Sequence, residues 1–490
     1  MEKIFIGQGS EKVYLLSNMV NRHGIISGAT GTGKTVTLKV LAESFSNLGI
    51  PVFLPDVKGD LLGFCEAGTM NGFIEKRLQL FGMSEFHFKS FPIRVWDFFS
   101  ASGIPLRITV SEMGPLLLSK LLNLNDTQSG ILTIAFRVAD DNGWLLLDIK
   151  DLKSILSYLA ENAKDLKLQY GNISSASVAS IQRNIMNLET EGAADLFGEP
   201  SLDIQDFFAA DSSGMGAINI LNAQKLYQRP NLYAAFLLWF LSEVYETLPE
   251  VGDLDKPKFV MFFDEAHLLF ENCPKILTEK IEQIIRLIRS KGAGIFFVTQ
   301  NPTDLPEAVL SQLGNRIQHA LRSYTAKDQT AIKQVAMTFR LNPQLNIAEE
   351  ITKLKTGDAL VSVLQEDGSP SVTDKVSITS PASKIGTVAD AIVNNLVHSS
   401  PFFQKYKTSV DRESAYEILT QRLENAAREK ALTEQQKTIQ RYEAELAKQK
   451  RNRPKSAVEK MGDQVMTGFS RSIGHQLARG VMGSIKKLFK

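Results

Sequence analysis

The sequence predicts an α/β fold, a sheet flanked by helices, with an all-helical insertion and a C-terminal helical extension. Three observations predict it. Apolar runs of buried-strand length, at 22–27, 50–56, 258–263 and 294–299, each end in glycine or polar residues. Helical spacing follows the first run in Val36-Thr37-Leu38-Lys39-Val40-Leu41-Ala42 and dominates from 111 to 191. From 411 to 453 the composition turns to Glu, Lys, Gln, Arg and Ala with little glycine, which favours one long charged helix ending near Pro454.

The first run leads into Gly28-Ala29-Thr30-Gly31-Thr32-Gly33-Lys34-Thr35, which satisfies every fixed position of the nucleotide-gripping P-loop, between a strand and a helix as the motif requires. Gly28, Gly31 and Gly33 let the backbone curl so that successive N–H groups face one concavity, and the helix opening at Lys34 adds its free amides and dipole. The segment from Gly28 to Val36 is thus a seat for a nucleoside triphosphate. Lys34 can reach the β- and γ-phosphates, and the Thr35 hydroxyl can sit on a Mg²⁺ ion bridging them. An ordinary glycine turn before a helix is the competing reading.

The run Lys258-Phe259-Val260-Met261-Phe262-Phe263 ends in Asp264-Glu265-Ala266-His267. Two acids at the tip of a buried strand are costly unless they are used. Asp264 suits the metal's coordination sphere and Glu265 the polarisation of an attacking water, whereas a helix cap is the bland use of the pair. His267 reads as a packing or hydrogen-bonding residue. Gly294 to Thr299 runs into Gln300-Asn301-Pro302, which puts an amide at a strand's C-terminal end, where ligands gather in open α/β sheets. Gln300 can sense the γ-phosphate or orient water; a strand-end turn is the alternative. The helix from about 276 to 289 ends in Arg289, which has no acid three or four residues before it and is therefore free to reach another molecule.

Together, Gly28 to Thr35, Asp264 to His267 and Val298 to Pro302 resemble the HerA/FtsK clade of P-loop ATPases, with a RecA/FtsK-like sheet. The resemblance implies an ATP-hydrolysing, hexameric DNA-pumping motor in which an arginine acts on the neighbour's ATP. Arg289 matches that position, and Arg316 in Asn315-Arg316-Ile317 is a second candidate. Phe5 to Gly9, Leu54 to Leu61 and Gly357 to Ser362 are similar to a short bacterial HerA-like (YjgR-type) branch. About two dozen residues precede the P-loop, too few for the N-terminal barrel of full-length HerA, so partner docking assigned to that barrel does not transfer.

With 490 residues, 43% of them hydrophobic and 22% charged, the chain can bury a large core. No leader pattern opens it and no stretch nears eighteen uninterrupted apolar residues, so a cytoplasmic protein without a membrane span is expected. Cys65 and Cys273 form neither a zinc site nor a structural disulfide on this reading. The net charge of +1 hides an asymmetry, because residues 411–490 hold 17 Lys and Arg against 10 Asp and Glu and the rest of the chain is acidic. A basic channel lining is only a small part of a motor's surface, so this weakens the DNA reading without removing it.

The expected organisation is a first core segment over 1–100, a mostly helical insertion over 101–212, the second core segment over 213–400, and a charged helix with a basic tail over 401–490. Asp56, Lys58 and Asp60 follow the strand at 50–56, either assisting the metal or water or building a salt-bridged loop. Gln365 to Pro370 has hairpin-turn chemistry between two alternating segments. In the tail, Gly462, Gly468, Gly474 and Gly480 recur every six residues among apolar ones, which suits an amphipathic helix seated on the ATPase itself, on a neighbouring subunit or on an anionic surface such as membrane or nucleic acid. Two function classes stay open: a DNA translocase, and a VirB4-like assembly or secretion ATPase acting on protein.

Overall fold

The computed structural model describes residues 2–451 except 84, 100, 101, 191, 193, 212 and 272–274. Twelve strands form one sheet: β1 Lys3–Gln8, β2 Lys12–Leu16, β3 Gly24–Ser27, β4 Val52–Asp56, β5 Ile93–Asp97, β6 Ile104–Pro105, β7 Ile218–Asn222, β8 Phe259–Phe263, β9 Ala293–Thr299, β10 Asn315–Gln318, β11 Asp358–Ser362 and β12 Asp374–Ile378. Their spatial order is β2-β1-β12-β11-β10-β3-β9-β8-β4-β7-β5-β6. From β10 to β6 all neighbours run parallel, and from β10 to β2 all run antiparallel.

The sequence dictates this division. Strands β3, β4, β8 and β9 are apolar at almost every position and buried throughout, as a parallel sheet covered on both faces demands. The antiparallel wing is exposed on alternate residues, as in the buried and exposed positions of β1 and β12. Its β11 and β12 are joined through the turn expected at 365–370, closed by an antiparallel bridge between Leu364 and Pro370. Beneath the sheet the helix Lys34–Asn47 buries Leu38, Leu41, Ala42 and Phe45. The Phe45 ring lies 6.3 Å from Phe262 and 6.0 Å from Phe296, whose own rings stack at 5.3 Å. The loop-bearing helix is thereby keyed to the acid-bearing strand and its neighbour through one aromatic cluster.

Between β6 and β7 the chain is helical, in Val110–Leu121, Asp126–Asn142, Ile149–Glu161, Ala163–Tyr170, Ser175–Thr190 and Gln205–Phe208. Capping boxes start three of these helices, at Thr109, Asn125 and Asp148. Their buried stripes, such as Leu152, Ile155, Leu156 and Leu159, show the spacing that predicted them. The Lys120 ammonium donates to the carbonyls of Leu269 (3.3 Å) and Glu271 (3.4 Å), so the insertion is tied to the helix that follows the acidic tip of β8.

Residues up to 412 cluster as one compact unit, and the described residues from 413 onward belong to another. In the second unit a helix spans Ala415–Arg451; Ala415 and Leu419 in its first turns are buried, and most of its remaining residues are polar or charged. The glycine-punctuated tail and its basic residues lie outside the described residues, as does Cys273. No helix among the described residues is long and apolar enough to cross a membrane.

Candidate active site

The P-loop leaves β3 at the level where its parallel neighbours end. Gly28, Gly31 and Gly33 have φ of 147°, 76° and 119°, in a region costly for residues with a Cβ. Close packing adds a second reason at Gly28, where a Cβ would come within 2.6 Å of the His319 side chain. Backbone bonds fix the start of the loop, from Gly28 N to Thr299 O (3.3 Å) and from Ala29 N to Ala320 O (2.8 Å). The Lys34 ammonium donates to the carbonyls of Gly28 and Ala29, the latter at 3.1 Å, and burial pulls its pKa down while Asp264 and Glu265 oppose that shift. Thr35 and Val36 begin the helix and are partly exposed.

Two strands away, β8 delivers its acids to the same edge. The Asp264 carboxylate accepts from the Glu265 N–H at 2.9 Å. Burial, then the adjacent Glu265 charge, pushes the Asp264 carboxyl up to about 7, so positive charge brought beside it favours the carboxylate. Glu265 is buried and has φ of 49°, the left-handed region that a residue of this size occupies only under constraint. One of its oxygens accepts from Gln300 Nε2 at 3.4 Å, and the other has no hydrogen-bond partner among the described residues, with His267 Nδ1 at 3.6 Å. A strained, buried carboxylate with an orphan oxygen is costly as structure alone. The amide of Ala266 donates to Val298 O (3.1 Å) and the Tyr233 hydroxyl to Asp264 O (2.8 Å), which hold the strained turn.

A cleft brings these groups together: Lys34, Thr35, Asp56, Lys58, Asp60, Asp264 and Glu265 all line it. Asp56, the last residue of β4, builds the following loop through hydrogen bonds rather than through the salt bridge expected of it: its carboxylate accepts from the amides of Lys58 (3.2 Å), Gly59 (2.7 Å) and Leu61 (3.0 Å). That turn presents Lys58 and Asp60 to the cleft. Wider clefts of about 510 and 660 Å³ lie elsewhere, and neither is lined by an aspartate–glutamate pair.

The two arginines stand apart from this cleft. Arg289 sits in a 3₁₀ turn, Ile288–Lys291, before β9, whereas the P-loop and Gln300 stand at the strands' C-terminal ends. The expectation that it has no acidic partner is corrected: Asp253, from a distant loop, lies 3.3 Å from its guanidinium. Local spacing is blind to an acid 36 residues away. Arg316 pairs in register with Ile25, three residues before the P-loop. Its guanidinium donates to Leu310 O at 3.0 Å, burial lowers its pKa, and no carboxylate pairs with it among the described residues.

Sequence reasoning missed the floor of the site. His319, just after β10, is buried under Gly28, and its backbone N–H donates to Ser27 O (2.7 Å). Its Nδ1 lies 2.9 Å from Asp358 O and its Nε2 2.8 Å from Thr37 Oγ1. A carbonyl only accepts, so Nδ1 carries the proton and Nε2 accepts from Thr37. Nothing local singled it out, because β10 itself, Asn315-Arg316-Ile317-Gln318, carries one apolar residue.

The chain matches the family described as "Helicase HerA-like C-terminal" over residues 2–488. The DNA double-strand break repair helicase HerA of Sulfolobus acidocaldarius is 24% identical over 364 residues, 73% of this chain and 65% of that protein. The same-named protein of Sulfurisphaera tokodaii is 24% identical over 71% of this chain and 64% of its own length. The match thus covers slightly less than two thirds of these relatives. In fold, the chain superposes on the unbound bacterial conjugative coupling protein TrwBdeltaN70 with a TM-score of 0.54 at 13% identity, over 80% of this chain and 92% of that one. The plasmid coupling protein TrwB in complex with a non-hydrolysable ATP analogue gives 0.52 at 14% identity, over the same shares. The α/β sheet accordingly has the fold of TrwB.

Proposed function

This chain belongs to the helicase HerA-like C-terminal family, and on that footing we propose that it hydrolyses ATP with Mg²⁺ and uses the energy to move along or unwind DNA as a ring, most simply a hexamer. The observation that carries the hydrolysis is Glu265, buried and strained with an unpartnered oxygen, facing the cleft that Lys34 and Thr35 also line.

The residues fit a nucleotide with its metal. The loop's curl offers backbone amides to phosphate oxygens, and Lys34, now on loop carbonyls, is long enough to turn to the β- and γ-phosphates. Thr35 and Asp264 would hold the magnesium ion, which supplies neutralisation of charge on the phosphates. Glu265 accepts a proton from the attacking water and Gln300 holds that water in line. Water is the nucleophile that the pairing of Glu265 with Gln300 favours. Arg289 or Arg316, both displaced from their own subunit's cleft, would act on the neighbour's triphosphate, where a guanidinium stabilises transition-state charge. For Arg289 this requires exchange of its Asp253 partner.

DNA as the track rests on the family and on relatives that are named DNA repair helicases. The acidic balance of residues 1–410 favours the second reading, a VirB4-like ATPase acting on protein in the cytoplasm, with an accessory protein partner. Nucleic-acid stimulation separates them. Duplex or single-stranded DNA should raise the ATPase rate, less so as salt rises. An unchanged rate with every nucleic acid at low salt would favour the protein-acting reading.

A further inference from the structure

The catalytic acids stand on one flank of the P-loop strand, because β9 and then β8 follow β3 in the sheet. A triphosphate whose γ-phosphate met those acids would leave its sugar and base toward the other flank, where β10, β11 and β12 lie. There the turn before β11 abuts the loop. Gly357 N donates to Thr32 O at 2.9 Å, and a Cβ on Gly33 would lie 3.1 Å from Gly357.

Over this turn rests the helix Gly72–Leu80, started by Asn71, whose side chain accepts from the amides of Phe73 and Ile74. Arg77 fastens the helix to the strands. It donates to Ile378 O (2.8 Å) and pairs with Asp358 (3.1 Å), and a Cβ on Gly357 would come within 2.7 Å of its guanidinium. One turn earlier Phe73 is 56% exposed, with its ring 4.9 Å from the Arg77 guanidinium carbon and its tip 3.5 Å from where that Cβ would stand. An aromatic ring held in place by an arginine yet left open to water, contiguous with the phosphate loop on the side away from the acids, offers a flat face to an incoming ring.

We propose that Phe73, steadied by Arg77, is the stacking platform for the purine base of the bound triphosphate. The proposal rests on the triphosphate reading of the P-loop and adds the base-binding half of that site. Stacking uses the π-face that every base presents, and Arg77 spends its donors on Ile378 and Asp358 rather than on base edges. The platform therefore holds adenine and guanine almost alike, and pyrimidines more weakly because their rings overlap less.

Calorimetric titration of the full chain with ATP, GTP and inorganic tripolyphosphate, in the presence of Mg²⁺, tests it. Phe73→Ala should weaken ATP and GTP by about tenfold and leave tripolyphosphate unchanged, and Phe73→Trp should restore both nucleotides. Unchanged ATP affinity in Phe73→Ala, or equal losses for ATP and tripolyphosphate, overturns the platform. Wild-type protein that takes up neither ATP nor tripolyphosphate overturns the triphosphate reading beneath it, an outcome distinct from a platform failure with tripolyphosphate still bound.

Discussion

His319 Nε2 and the Thr37 hydroxyl meet at 2.8 Å beneath the glycine loop, joining the strand after the arginine to the first turns of the loop-bearing helix. The same imidazole reaches Asp358 O, so one ring links three elements that must keep their spacing for the loop to hold its curl. His319→Ala leaves a hole under Gly28 and two polar groups unpaired. It should destabilise the protein by roughly 2–4 kcal/mol and weaken ATP binding even at temperatures where the variant is folded. Denaturant titration beside nucleotide titration checks this, and a stable variant with full affinity contradicts the role.

Two histidines make folding sensitive to acid. Burial pushes both His23 and His319 down to about 4, well below the value for a free imidazole. In the unfolded chain they protonate near pH 6.5, so between about 6.5 and 4 the unfolded state binds more protons and stability rises with pH. Each histidine should contribute a slope of about 1.4 kcal/mol per pH unit in that window. Asp56, Glu243 and Asp264, which burial pushes up to about 6, 7 and 7, hold protons in the folded state over much of the same window and oppose this slope, so the histidine contribution is read as a difference between two proteins. In melting curves between pH 6.5 and 4.5, His319→Asn should lose about 1.4 kcal/mol less stability per pH unit of acidification than the wild type, and an equal pH dependence of the two proteins contradicts the buried neutral assignment.

The strain at Glu265 has a thermodynamic signature. A glycine there adopts φ of 49° without penalty and removes the unpartnered buried oxygen, so Glu265→Gly should raise stability by about 1 kcal/mol while abolishing turnover. Calorimetric melting settles the sign. A clear loss of stability would mean that the carboxylate serves the fold rather than the reaction.

For the arginines, mixing subunits is decisive. If Arg289 acts across a subunit boundary, Arg289→Ala and Lys34→Ala damage different halves of one site, and mixed assemblies would contain some intact boundaries and regain activity. Asp253→Ala frees Arg289 in every subunit and should leave hydrolysis intact or faster. If mixing in any proportion recovers nothing, Arg289 does not act across a boundary, and the same mixing with Arg316→Ala then tests the second residue.

Much of the sheet's parallel half was legible because its strands carry their own signal. Phe259 to Phe263 and Ala293 to Thr299 are continuous apolar runs that stop at the residues of interest, so burial and chemistry are written side by side. The antiparallel edge was less so. Gly7 pairs with Ile378, and nothing within either segment announces a partner more than 360 residues away. Short β5 and β6 were likewise silent, since five and two residues are too few to show a period. In the cleft, the groups that face solvent-borne chemistry could be named from motifs, whereas His319, Tyr233 and the Arg77–Asp358 pair matter only through what the fold places beside them. Arg289 shows the reverse error, an apparent freedom removed by tertiary contact with Asp253.

The most direct test is release of inorganic phosphate from ATP by the purified, folded and assembled protein, with and without magnesium, beside its Glu265→Gln variant. The account predicts magnesium-dependent release by the wild type, and at least a hundredfold slower release by the variant at undiminished ATP affinity, about the loss expected on removing a general base. A wild-type protein that releases no phosphate, or a variant that matches it, contradicts the claim that Glu265 drives water onto a triphosphate held by the glycine loop.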